Sequence, residues 1–273
     1  MNRRMPKASG EDALVASTPD QRLLTSSPTL EGGECISGCE GGVPDYLSAR
    51  RYELRFTLYA SRITSVPLHH ELIPAEAKDS RRLLIMLHGL GDSIAGYRWM
   101  PEALNLPWLN YLLVNAPDDY YGGYSWFDFG GDIAPGVTRS RDSLFELLDE
   151  QRAKGFPTKQ TILGGFSQGC LMSVEAGVRY PRRLAGIVGI SGYICNPEQL
   201  IKEMSPVARQ QRLLITHGTM DPLIPFALVW QQVSLLKAAG LNIEWHEFMK
   251  AHTIAGEAEL SVIRRFVESS YTD

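Results

Sequence analysis

The stretch Thr161-Ile162-Leu163-Gly164-Gly165-Phe166-Ser167-Gln168-Gly169-Cys170 decides how this chain is read. Its centre, Gly165-Phe166-Ser167-Gln168-Gly169, has the G-x-S-x-G form in which a serine stands on a sharp turn between a strand and a helix. The flanks supply both elements. Thr161 to Gly164 is a short apolar strand, and Cys170 to Tyr180 reads as a helix. Small neighbours suit a bend where strand and helix backbones crowd, because glycine has no Cβ to clash. The same pentapeptide could be a purely structural turn, so its meaning depends on what the rest of the chain brings to it.

Outward from this turn the chain keeps a regular rhythm. Leu83 to Leu87, Tyr111 to Asn115, Leu184 to Ile190, Leu213 to Thr216 and Ile243 to Phe248 read as strands. Ser140 to Lys154 is an amphipathic helix with Leu144, Leu147 and Leu148 on one face. Ala227 to Ala239 is a helix stopped by Gly240, and Ile254 to about Glu268 is the last helix. Continuous apolar strands alternating with helices predict the α/β class, with a mostly parallel central sheet and helices on both faces. Ligands of such sheets bind beyond the carboxyl ends of the strands. Tyr52 to Leu58 alternates as an antiparallel strand would, and His69 to Ile73 continues it or pairs with it. Residues 1–50, rich in Ser, Gly, Pro, Glu and Thr, read as a disordered or loosely packed arm before a single domain over 51–273.

A serine hydroxyl is a poor nucleophile at neutral pH and needs a base, which in turn needs an orienting acid. Asp221 follows the next-but-one strand after Ser167, in the loop His217-Gly218-Thr219-Met220-Asp221-Pro222-Leu223-Ile224-Pro225. His252 follows the last strand, just before the final helix. Singly, an aspartate in a proline-rich loop reads as a turn residue and a histidine before a helix as a surface residue. Together, at strand ends and in this order, Ser167, Asp221 and His252 make a catalytic triad. His246 is the competing histidine, but mid-strand it points to the core or to solvent, and His217 is read as a brace for the acid loop. Carbonyl chemistry also needs an oxyanion hole. The backbone N–H of Gln168, next after the serine, is one donor, and Leu90 in His88-Gly89-Leu90-Gly91-Asp92-Ser93 is the other. A phosphate-binding reading of that glycine loop lacks the lysine it requires.

Four motifs now resemble one family. Leu87-His88-Gly89-Leu90-Gly91-Asp92, Ser125-Trp126-Phe127-Asp128, Gly165-Phe166-Ser167-Gln168-Gly169 and the His217 to Pro225 loop look like the acyl-protein thioesterase, carboxylesterase and lysophospholipase family of α/β-hydrolases. The resemblance covers roughly residues 66–273. It implies the α/β-hydrolase fold, Ser167 as nucleophile, His252 as base, Asp221 as orienting acid, and Leu90 and Gln168 as oxyanion donors. It also implies that Trp126 and Leu223 line the acyl pocket, that no cofactor or metal is needed, and that the substrate is an ester or thioester of a small molecule, a lysolipid or an acylated protein. The chain departs from the family in having Ala251 where a glycine usually precedes the histidine.

Other features bound the reading. Only Ser191 to Arg212 separates the strand after the elbow from the acid strand, too little for a cap domain, so an open site is expected. The aromatic, glycine-rich run Asp118 to Phe127 is read as a wall of the acyl channel, with an ordinary packed loop as the alternative. The formal net charge of −4 gives no attraction for nucleic acid. No apolar run is long enough to span a membrane, and no apolar region follows Arg3, Arg4 and Lys7 as a secretory signal requires. Cys35, Cys39, Cys170 and Cys195 suggest no disulfide framework, which fits the cytoplasm. Cys35 and Cys39 lack further ligands for zinc. Cys170 lies in the first helical turn, where a thiol can be activated, but reads as a buried bystander. The sequence leaves lysophospholipase, or a catalytically silent binding module, as rival readings and says nothing of oligomeric state.

Overall fold

Every side chain of Leu83-Leu84-Ile85-Met86-Leu87 is buried, because this strand runs through the middle of a sheet covered on both sides. The computed structural model describes residues 67–271. Its strands are β1 (His70–Ile73), β2 (Leu83–Leu87), β3 (Asn110–Val114), the hairpin β4 (Asp118–Tyr120) and β5 (Gly123–Ser125), then β6 (Thr161–Phe166), β7 (Gly186–Ile190), β8 (Arg212–Gly218) and β9 (Asn242–Phe248). Seven of them form one sheet in the order β1-β3-β2-β6-β7-β8-β9. Only β1 is antiparallel to its neighbour, pairing His70 with Val114 and Ile73 with Tyr111.

The helices are α1 (Met100–Leu104), α2 (Ala134–Ala153), α3 (Gln168–Arg179), α4 (Pro197–Glu203), α5 (Phe226–Ala238) and α6 (Gly256–Ser270). Side chains alternate across a strand, so one apolar run feeds two layers. Leu83, Ile85 and Leu87 join Leu144, Leu171, Leu200 and Val233 of α2, α3, α4 and α5. Leu84 and Met86 join Met100 and Leu104 of α1 and Ile263 and Phe266 of α6 on the other face. Helices therefore cover both faces of a mostly parallel sheet, the α/β-hydrolase architecture.

Some boundaries move. α2 is 20 residues long and starts at Ala134, ahead of the expected Ser140. Pro135 suits a helix's first turn, and Val137 is that turn's buried residue, so apolar periodicity alone does not reveal it. α3 starts at Gln168, directly after Ser167, leaving a turn of a single residue. α5 ends where Gly240 takes a φ of +90°. Between β7 and β8 lie only α4 and a short 3-10 turn over Ala208–Gln210, and both send residues, Leu200 and Ala208, into the core. No cap domain is inserted there. The expected arm to residue 50, the strand over Tyr52 to Leu58, and Cys35 and Cys39 lie outside the described residues.

Candidate active site

Ser167 is held in a conformation few serines adopt. Its φ is +55° and its ψ −116°, a region that costs a non-glycine residue of order 1–3 kcal/mol. The surroundings enforce it. Ser167 N–H donates to the Ile190 carbonyl (2.9 Å) and its own carbonyl accepts from Leu171 N–H (3.2 Å). A Cβ on Gly165 would collide with the Gly169 backbone, and one on Gly169 with the carbonyl oxygens of Leu87 and His88. The two glycines let β6, α3 and the end of β2 close on one another.

The tight turn aims Ser167 Oγ at His252 Nε2, 2.9 Å away, and His252 Nδ1 lies 2.7 Å from Asp221 Oδ2. The carboxylate can only accept, so Nδ1 carries the imidazole proton and Nε2 is free to accept from the serine hydroxyl. The three side chains come from the carboxyl ends of β6, β8 and β9. His246 lies elsewhere, mid-strand in β9 and hydrogen-bonded to Glu244 (2.7 Å).

Asp221 is wrapped by its own loop. Its Oδ1 accepts from Leu223 N–H (2.9 Å) and Ile224 N–H (3.0 Å), which leaves Oδ2 for the imidazole. Burial alone would raise this carboxyl, but the hydrogen bonds from Ile224, His252 and Leu223 outweigh it and hold the group below its ordinary range. His217 braces the loop from beneath: its Nε2–H donates to the Ile224 carbonyl at 3.0 Å. Burial pulls that imidazole below its usual range, so it serves as a neutral prop.

A second neutral histidine props the glycine loop after β2. His88 Nε2 accepts from Ala116 N–H (3.0 Å), so Nδ1 bears the proton and donates to the Gly89 carbonyl at 2.6 Å. In a trans peptide the carbonyl and the next N–H point opposite ways, so the Leu90 N–H is turned away from His88. Gln168 N–H opens α3, where the first amides lack helical partners. Gly89, Leu90, Ser167, Gln168 and His252 line one cavity. Two amides beside a serine in a common cavity can receive an oxyanion.

Trp126 stands apart from the expectation that it lines the acyl pocket. Its side chain is 0% exposed, and its Nε1–H donates to the His88 carbonyl at 2.9 Å. A buried indole needs a partner for that N–H, and this one finds it behind the glycine loop. The Gln168 side chain completes the support: Oε1 accepts from Trp126 N–H and Nε2 donates to the Phe127 carbonyl, both at 3.0 Å. The run Asp118 to Phe127 is likewise a hairpin and a buried segment, and none of it lines the cavity. The wall comes from Phe129, Tyr193, Leu223, Ile224 and Leu228, together enclosing about 470 Å³ with Ser167, Gln168 and His252. Of these only Leu223, which is 70% exposed at the rim, is implied by the family resemblance. The others are scattered single apolar residues with no pattern to mark them. A second cavity of about 420 Å³ shares Asp92, Phe166 and His252 with the first and continues to Trp99, Thr253 and Ile254.

Cys170 is buried, and burial pushes its thiol up to about 12, which leaves it inert. Among the described residues no group of three or more His, Cys, Asp or Glu side chains is placed to hold a metal. No described helix is long and apolar enough to cross a membrane.

A serine on a strained turn, relayed through histidine to aspartate at the carboxyl edge of such a sheet, is the arrangement of an α/β-hydrolase. Comparison with known proteins narrows the class. Residues 68–271 match the phospholipase/carboxylesterase family, and the chain belongs to it. Acyl-protein thioesterase 1 of Schizosaccharomyces pombe is 37% identical over 53% of this chain and 70% of its own length. Acyl-protein thioesterase 1 of Debaryomyces hansenii is 30% identical over 72% of this chain and 94% of its own. The crystal structure of esterase PE8 superposes with a TM-score of 0.66 at 29% identity, covering 75% of this chain and 99% of that one. The chain is a serine hydrolase of carboxylic esters or thioesters.

Proposed function

We propose that Ser167 is the nucleophile, His252 the general base and acid, Asp221 the group that orients the imidazole, and that the Leu90 and Gln168 amides hold the oxyanion. The observation carrying this reading is the unbroken relay of 2.9 Å and 2.7 Å from Ser167 through His252 to Asp221. Ser167 Oγ attacks the acyl carbonyl as His252 Nε2 takes the hydroxyl proton, and the carbonyl oxygen gains the negative charge. Collapse of the tetrahedral intermediate expels the alcohol or thiol, which takes the proton back from His252. Water then enters by the same route and attacks the acyl-enzyme carbonyl as His252 takes its proton; the second tetrahedral intermediate collapses, the bond to Ser167 Oγ breaks, and His252 returns the proton to Ser167 as the acid leaves. Each oxyanion donor is worth about 2.7–4 kcal/mol in such sites.

The acyl chain goes to the cavity of about 470 Å³, whose walls are aromatic and aliphatic and which Leu90 and Gln168 also line. The leaving group goes to the cavity of about 420 Å³, which touches His252, the group that must protonate it. Exposed Leu223 and Phe129 leave the mouth accessible to a bulky substrate. Together with the thioesterase names of the relatives, this supports a thioester on an acylated protein as substrate, with lysolipids as the rival. The free thiols of Cys170 and Cys195 suit a cytoplasmic setting; recovery of the enzyme from the medium would count against that.

Fluorophosphonate labelling tests the nucleophile. Label should attach to Ser167, and Ser167→Ala should lose both label and about 10⁴-fold or more of turnover. A folded Ser167→Ala variant with near-normal turnover would sink the mechanism. Side-by-side kcat/KM values on acyl-protein thioesters, short nitrophenyl esters and lysolipids rank the substrates; a clear preference for lysolipid would displace the thioester reading.

A further inference from the structure

Beside the site, but on neither cavity wall, Lys250 and Glu259 form an ion pair whose side chains are 3% and 0% exposed. Lys250 Nζ lies 2.6 Å from Glu259 Oε1 and 2.7 Å from Oε2, so the ammonium engages both carboxylate oxygens. The proposed hydrolysis uses neither group. Stability alone is a poor reason to bury them, because desolvation tends to offset the attraction of such a pair. Burial pulls the Lys250 ammonium below its usual range, with Glu259 pulling the other way.

The position of the pair is informative. Lys250 stands two residues before His252, and Glu259 lies in the first turn of α6 just beyond it. Glu259 Oε2 also accepts from Ala255 N–H at 2.6 Å. On the other side, Lys250 N–H donates to the Phe248 carbonyl (2.9 Å), and the Lys250 carbonyl accepts from Met220 N–H (3.2 Å), next to Asp221. Between these ties the main chain turns tightly, Thr253 N–H donating to the Ala251 carbonyl at 2.8 Å. The segment that carries the imidazole is thus anchored at one end to the acid loop and β9, and at the other to α6, with the buried pair joining the two ends.

We infer that Lys250 and Glu259 are positioning residues for His252: their ion pair closes the 250–259 loop so that the imidazole meets Ser167 and Asp221 at once. This rests on His252 being the base. Without the pair the loop keeps its main-chain ties to Phe248 and Met220 but loses the link to α6, which lets the ring drift, and a displacement of about 1 Å near the chemistry can cost about 10²-fold in rate.

The test compares Lys250→Met, Glu259→Gln and the double variant Lys250→Met/Glu259→Leu. Each is read by melting temperature, by kcat and KM on a nitrophenyl ester, and by the downfield proton resonance of His252 Nδ1–H. The single variants should lose about 10–100-fold in kcat with KM unchanged, since neither side chain touches the cavities. The double variant leaves no unpaired buried charge and should recover melting temperature, yet keep the low kcat and a weakened Nδ1–H signal. Recovery of kcat together with melting temperature would show the pair to be mere scaffolding and overturn the inference. So would an effect confined to KM. If the double variant does not recover its melting temperature, Glu259→Gln decides, because glutamine keeps the shape and the acceptor for Ala255; wild-type kcat and resonance there overturn the inference. His252→Ala, run alongside, separates the two levels. Full activity in it removes the base assignment and this inference with it, whereas lost activity there beside a fully active double variant removes this inference alone.

Discussion

Replacing Asp221 by asparagine changes one atom at the point where the relay is decided. The asparagine carbonyl can still accept from Leu223 N–H and Ile224 N–H, which now reach Oδ1 at 2.9 and 3.0 Å. The loop should therefore keep its shape. The amide nitrogen, however, takes the place of Oδ2, 2.7 Å from His252 Nδ1. Two donors cannot face each other at that distance, so the imidazole moves its proton to Nε2. Nε2–H then points at Ser167 Oγ and can no longer take the serine's proton. The wrong tautomer in a Ser–His–Asp relay lowers kcat by about 10⁴-fold. At about 1.36 kcal/mol per tenfold, that is about 5.4 kcal/mol of barrier. KM should not change, because Asp221 is absent from the cavity walls. Steady-state hydrolysis of a nitrophenyl ester, with a thermal melt to show that the fold is intact, measures both. A folded Asp221→Asn enzyme within tenfold of wild-type kcat would refute the assignment of Asp221.

Three further outcomes follow from the same geometry. Gly169→Ala would drive a methyl group into the Leu87 and His88 carbonyls, which are sheet and loop backbone and cannot step aside; a loss of about 1–3 kcal/mol is expected, and an unchanged melting temperature would contradict the close approach of α3 and β2. His88 and His217 are both held below the usual imidazole range by burial. The unfolded chain therefore binds protons that the folded one refuses, so stability is level above about pH 6.5 and falls below it, by at most about 1.4 kcal/mol per pH unit for each ring. Urea midpoints across that range read the effect, and His217→Gln should flatten the slope; a slope unchanged in that variant would argue against a buried neutral His217. Leu223→Asp at the rim should raise KM for long acyl chains by about tenfold, near the lower bound of what burying an aliphatic side chain is worth because Leu223 is 70% exposed and is covered only by the bound chain, while leaving short esters nearly untouched; equal effects on both would place the chain elsewhere.

Much of the sheet is legible from local runs. A strand buried on both faces, such as Leu83 to Leu87, has no polar alternation and stands out as a solid apolar block. The edge strand is harder. His70-Glu71-Leu72-Ile73 is partly exposed, and its antiparallel pairing with Asn110–Val114 depends on a residue range far away in the chain. The start of α2 is hidden for a related reason, since its first turn buries only Val137. Among the aromatic residues of Ser125 to Phe129, nothing in the spacing says that Trp126 goes under the glycine loop while Phe129 faces the cavity. That choice is made by the β4–β5 hairpin and by the Gln168 amide, which fastens Trp126 and Phe127 from below.

Chain order, together with the elbow motif, was enough to single out Ser167, Asp221 and His252 as the candidate triad. The elbow is a local device, strand ends can be found from apolar periodicity, and a serine, an aspartate and a histidine at three such ends in sequence leave little other use for them. What periodicity cannot reach is distance. Whether the imidazole stands between Asp221 and Ser167, and which side chains wall the cavity beside them, depend on residues separated by tens of positions, and even Lys250 and Glu259, nine positions apart, are sealed only by the layers packed around them. Those contacts exist only once β6, β8, β9 and α6 are packed side by side, because hydrogen bonds near 3 Å and the burial of an ion pair are properties of the packed layers and not of any one segment.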